Sequence, residues 1–185
     1  MRLVRLETHI AALVAMAVPA LLPAVGAAQG AAGMTGAAAG IEWTVPGTWT
    51  KGRGSSMRVA TYDVPAAKDA AAAECAVFYF GRGQGGGVND NVKRWARQFK
   101  ENPTPARTQR TVAGVSVTLV DVEGTYLNPG GGTMQSRGEK PDYRLLGAIV
   151  EAPAGRVFFK LTGPRTTIAA AQADFDALIG SIEGK

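Results

Sequence analysis

The sequence predicts an α+β domain in which a largely antiparallel sheet is flanked by amphipathic helices. Three observations carry this. From Ile41 onward, short alternating or apolar runs are punctuated by glycine and proline, the pattern of strands and turns. Two other segments place their apolar residues at helical spacing. Repeated βαβ units are missing, so a parallel, doubly wound sheet is not indicated.

The elements follow in order. Ile41–Val45 reads as a short strand stopped by Pro46-Gly47, and Met57–Val64 alternates until Pro65. Cys75–Phe80 is apolar and aromatic and ends at a glycine cluster. Thr108–Val112 and Val115–Tyr126 straddle Ala113-Gly114, a hairpin break. Tyr143–Glu151 and Arg156–Thr162 are joined by Ala152-Pro153-Ala154-Gly155, the strongest hairpin signal in the chain. Val92, Trp95, Ala96 and Phe99 share a helical face that Asn89 or Asp90 would cap and Pro103 would end. Ile168, Phe175, Leu178, Ile179 and Ile182 share another, with Thr166 or Thr167 as its cap.

The N-terminus reads as a secretory signal over residues 1–28. Arg2 and Arg5 precede the apolar stretch Ile10–Leu22, and small residues follow, with cleavage after Ala28 or Ala27. A membrane anchor is the rival reading, but the run is shorter than the ~20 residues a span needs and contains Pro19. Residues 29–40 are Gly/Ala-rich and read as a flexible leader, leaving a single domain over 41–185. Losing Arg2, Arg5 and Glu7 takes the formal charge from +5 to +4, with the basic residues scattered rather than massed. That distribution and the export signal exclude nucleic acid as a partner. No stable membrane insertion is expected after cleavage.

Some chemistry is ruled out by residue type. His9 is the sole histidine and lies in the signal, so the mature chain lacks Ser-His-Asp and Cys-His catalysis and histidine-based zinc sites. The single Cys75 cannot form an intramolecular disulfide, and its strand-like setting makes it a small buried hydrophobe rather than a nucleophile. Asp121 with Glu123, or Glu139 with Asp142, could pair as carboxylates, though surface solvation is their default role. Calcium-loop spacing is absent, and no metal site is expected.

Trp43-Thr44-Val45-Pro46-Gly47-Thr48-Trp49 resembles the W-x-x-P-x-x-W opening of the PsbP-like superfamily. The hairpin Tyr143–Thr162, followed by Gly163-Pro164 and a closing helix, is similar to that group's ending. Phe78-Tyr79-Phe80-Gly81, Gly83-Gln84-Gly85-Gly86, Asn91 and Trp95 resemble a narrower set of exported bacterial proteins. The resemblance spans roughly Ile41–Ile182. It implies an α-β-α sandwich around an antiparallel sheet and a docking or accessory role, with no common activity and no transferable functional residues.

The sharpest local motif is Gly81-Arg82-Gly83-Gln84-Gly85-Gly86-Gly87. Gly81, Gly83 and Gly86 spell G-x-G-x-x-G between a strand and a helix. Without βαβ units, or an acid after Thr108–Val112, no nucleotide cofactor is expected. Two readings stay open: backbone amides and Arg82 holding a small anion, or a flexible connection whose glycines permit turning. Lys93, Arg94, Arg97 and Lys100 form a basic helix side for an acidic partner, or an ordinary solvated face. Trp43, Trp49 and Trp95 read as core rather than a ligand platform. Asn128–Asp142 is long for a hairpin loop, and Arg137, Glu139 and Lys140 could meet a partner there.

The functional expectation is a periplasmic or secreted accessory protein. It would bind an envelope protein through Gly81–Asn91, the long loop, or both. Arg82, Gly83, Gln84, Gly86, Asn91, Arg94 and Arg97 are its expected contact residues. The alternative is a small-anion or metabolite binder using Gly81–Gly87. An enzyme ranks third, restricted to carboxylate, lysine or tyrosine chemistry.

Overall fold

The computed structural model describes residues 33–127 and 138–185. The signal expected over 1–28, the start of the leader and residues 128–137 of the long loop, Arg137 included, lie outside the described residues. The described elements are β1 (Thr35–Ala38), β2 (Ile41–Thr44), β3 (Thr50–Lys51), β4 (Ala60–Val64), β5 (Ala73–Tyr79), α1 (Val88–Ala96), β6 (Ala106–Val112), β7 (Val115–Tyr126), β8 (Lys140–Ala152), β9 (Gly155–Pro164), α2 (Arg165–Gly180) and β10 (Glu183–Gly184).

Two-residue turns set the hairpins. Ala113 and Gly114 have φ of 46° and 79°, the left-handed pair that such a turn demands, and Val112 then pairs with Val115. Pro153-Ala154 joins β8 to β9 with Ala152 opposite Gly155; neither turn residue is left-handed, and the positive φ (129°) falls on Gly155 instead. All neighbours in the seven-stranded sheet β3-β4-β5-β9-β8-β7-β6 run antiparallel, as the α+β expectation requires. A smaller sheet, β1-β2-β10, accompanies it.

Strand alternation sends side chains to two separate cores. On one face, Trp43, Val77, Val117, Ala148, Val150, Phe159 and Leu161 pack with Ile168, Phe175, Leu178 and Ile179 of α2. Trp43 meets Phe159 edge-on at 5.0 Å and donates its indole N–H to the Tyr62 hydroxyl at 2.9 Å, which satisfies its buried polar atom. On the other face, Trp95, Phe99, Val120, Val122, Tyr126, Leu145, Ile149 and Phe158 form a smaller cluster beneath α1. Trp95 lies across Gly147 so closely that a Cβ there would collide with its ring. All three tryptophans are buried.

Several expectations need correction. The leader ends early: Thr35–Ala38 form β1, paired with β2 through a turn at Ala39 and Gly40 (φ 54° and 82°). The strand expected over Met57–Val64 begins only at Ala60, with Met57 left exposed. Neither Asn89 nor Asp90 caps α1, which starts from Gly87 without a side-chain cap. Phe99 lies beyond that helix, because the chain tightens into bonds from Gln98 N to Trp95 O and from Phe99 N to Ala96 O. Lys100 N then donates to Thr125 O, tying the segment to the end of β7 well before Pro103. Similarly, α2 begins after Pro164, not at Thr166 or Thr167. Thr167 instead donates to Ala71 O at 2.8 Å and accepts from Ala67 N at 3.2 Å, stapling the helix to a remote loop. Ile182 follows α2 and is still buried.

Candidate functional site

The glycine loop leaves β5 at Phe80 and enters α1 at Val88. Gly81, Gly83, Gly85 and Gly86 all have φ between 73° and 100°, a region side chains rarely adopt. Gly85 presses against the rings of Phe80 and Phe158, so the loop folds back over the sheet. Its main-chain oxygens are claimed from within. Asn91 donates from Nδ2 to the carbonyls of Gly85 and Gly87, each at 2.8 Å, and Arg156 reaches Gly86 O at 3.4 Å.

These bonds sort the expected contact residues. Asn91 is buried and acts as a brace inside the loop. Arg94 is exposed but donates to the Asn91 side-chain oxygen. Arg82, Gly83, Gln84 and Gly86 are exposed, with Gln84 N closing a turn onto Gly81 O. Arg97 and Lys93 point outward from the α1 segment without an acidic partner among the described residues. Lys100 differs, since it pairs with Glu139 at 2.9 Å.

An apolar patch adjoins this loop. Met57, Val59 and Phe80 are 67%, 45% and 38% exposed, and together they are the exposed large hydrophobics of the described residues. Val59 N donates to Val77 O, placing the Met57–Val59 segment beside the end of β5. Phe80 stacks on Phe78 at 6.0 Å, and Arg58 lies over Phe78 while pairing with Glu74 at 2.9 Å.

Farther along the same sheet face, the Lys160 amine donates to the Tyr126 hydroxyl at 2.9 Å. Burial, with Arg58 adding to it, pulls the amine down to about 8, while Glu74 pulls the other way. Burial also pushes the Tyr126 phenol up to about 12. Tyr143 stacks on Tyr126, 5.9 Å away and 6° from parallel. Sequence reasoning missed Lys160. The available signal was one charged residue inside the apolar run Val157-Phe158-Phe159-Lys160-Leu161. Such an amine holds a neutral fraction near pH 8, with one hydrogen bond committed to the Tyr126 hydroxyl.

The carboxylates considered for catalysis are taken up as ion pairs. Asp121 receives two bonds from Arg144, at 2.8 and 2.6 Å, which also raises the guanidinium's affinity for its proton. Glu123 and Asp142 both face Arg165, at 3.8 and 3.1 Å. Cys75 is fully buried, and its thiol is pushed up by that burial, consistent with an inert core role. No group of acidic, histidine or cysteine side chains suited to a metal occurs among the described residues. No helix among them is long and apolar enough to cross a membrane.

No family model matches the chain, and no curated protein matches its sequence. Solved structures do. The solution structure of cyanobacterial PsbP from Synechocystis is similar at a TM-score of 0.53 and 12% identity, over 85% of this chain and 96% of that one. A Pseudomonas aeruginosa protein of unknown function, described as a putative regulator, gives 0.45 and 16% identity over 76% and 88% of the two chains. With its antiparallel sheet and a helix packed on either face, the domain has a PsbP-like α+β fold.

Proposed function

We propose that the chain is an exported accessory protein that docks an acidic protein of the cell envelope. The contact surface is built by Met57, Val59 and Phe80 at the end of β5, with Arg82 next in the glycine loop. One observation carries this reading: the exposed large hydrophobics of the described residues lie at and beside the end of β5, next to Arg82, which has no acidic partner among those residues. The fold supports it only generally, since PsbP-like folds do not dictate an activity.

The small-anion reading is weaker. The bonds from Asn91 and Arg156 explain the loop's geometry as internal bracing, and Arg156 is also engaged by Glu151 at 3.3 Å. Crosslinked recovery from the native envelope separates the two. A partner captured by the wild type and lost with both Phe80→Ser and Arg82→Glu is expected. Equal recovery with both variants contradicts docking at this surface.

A further inference from the structure

The two edges of the seven-stranded sheet differ sharply. At one, β3 is two residues long, too short to template another strand. At the other, β6 runs for seven residues in unbroken register with β7 and carries no bulge. No described strand pairs with its outer side. Natural edges of this length are normally blunted; this one has no bulge or proline, and its two charges, Arg107 and Arg110, are turned aside to the Asn89 side chain and the Asp176 carbonyl.

Its main-chain pattern follows from the turn. A two-residue turn makes Val112 and Val115 a mutually hydrogen-bonded pair, and alternation extends that to Arg110–Val117 and Thr108–Leu119. Arg107, Gln109 and Thr111 therefore aim their N–H and C=O groups away from the sheet. Beside this row, a groove of about 200 Å³ opens between β6 and α2, floored by Leu119, Leu146 and Phe175. Arg110 crosses to α2, donating to Asp176 O at 3.3 Å, while its Nε is enclosed with no hydrogen-bond partner. The rest of the half-buried guanidinium has no carboxylate partner among the described residues, so an incoming carboxylate can reach it there.

We propose that β6 is a peptide-docking edge. An extended segment of a partner protein adds an eighth strand, seats one apolar side chain in the groove and offers a carboxylate to Arg110. A second copy of the chain fits less well. The residues its own β6 would bring to that side are Ala106, Thr108, Arg110 and Val112, which set another arginine near the first and leave the apolar floor poorly filled. This inference is independent of the surface around Phe80.

The test is a titration of the isotope-labelled protein with a capped seven-residue peptide that alternates valine and threonine and carries one glutamate, followed by amide NMR. Shifts should concentrate at Arg107, Gln109 and Thr111 and at the groove residues Leu119, Leu146 and Phe175. Gln109→Pro removes one outward N–H, a change an edge strand tolerates, and should weaken binding about tenfold or more while leaving the unfolding temperature near wild type. Ala106→Trp, filling the groove mouth, should weaken it too. The proposal is overturned by absent β6 shifts at about 5 mM peptide, by Gln109→Pro binding like wild type, or by a dimer that Gln109→Pro disrupts.

Discussion

The two faces of the large sheet are covered differently. Beneath α2, sixteen residues of helix and the small sheet seal an apolar layer in which Phe159, Leu161, Ile168 and Leu178 are fully buried. Beneath α1, nine residues of helix cover part of the sheet and leave Lys160, Arg58 and Glu74 among aromatic rings, with Phe80 open to solvent. Hydrophobic burial is indifferent to direction, so a domain can draw most of its stability from one layer. The second face is then free to carry charge and exposed apolar surface at little cost to the fold.

That contrast can be broken by substitution. Phe159→Ala should be the largest effect, costing about 3–5 kcal/mol in denaturant unfolding, because it opens a cavity against Trp43. Gly147→Ala should cost about 1–3 kcal/mol, since Trp95 occupies the space a methyl group needs. Recovery of that loss by adding Trp95→Leu would locate the strain.

Lys160→Met should act in the opposite direction. The folded amine sits at about 8, below its ordinary 10.5. The unfolded chain thus binds more protons between those values, and wild-type stability rises with pH across that window. Arg58, Glu74, Arg94 and Tyr126 are the charged or titratable groups around it, and Tyr126, pushed up to about 12, reverses the slope above pH 10. At pH 7 the variant should therefore be more stable, by about 1–2 kcal/mol after allowing for partial solvation. Its advantage should shrink from pH 8 to 10, and a pH-independent difference would show that the amine carries no burial penalty. Phe80→Ser is the smallest case, within about 0.5 kcal/mol of wild type by thermal unfolding.

Much of the sealed face was legible in the sequence. Pro153 and the apolar runs around it marked the β8–β9 hairpin, and Trp43, Trp49 and Cys75 were read correctly as core. β1 was not legible, because Thr35–Ala38 carry no alternation of their own. Their strand exists through pairing with β2. Phe99 continued the helical period by coincidence, while its backbone turned to bond the end of β7. The other face was harder to read. Lys160 looks like an outward strand position until Tyr126, thirty-four residues earlier, is brought against its amine. Asn91 looked like a contact residue, but its amide points inward to the loop it braces. For Lys160 the deciding neighbour is set by tertiary placement; for Asn91 the partners, Gly85 and Gly87, are local, but a spacing of residue types does not show which way the amide turns.

The proposed docking face bears Phe80, and the outer surface of α2 is proposed to be structural. Site-specific photocrosslinking in the native envelope tests this assignment directly, with the photoreactive residue placed either at Phe80 or at Ala170, an exposed position on α2. A discrete protein adduct from position 80, and none from position 170, is the expected result. Adducts of equal yield from both positions, or an adduct from position 170 alone, would contradict the account.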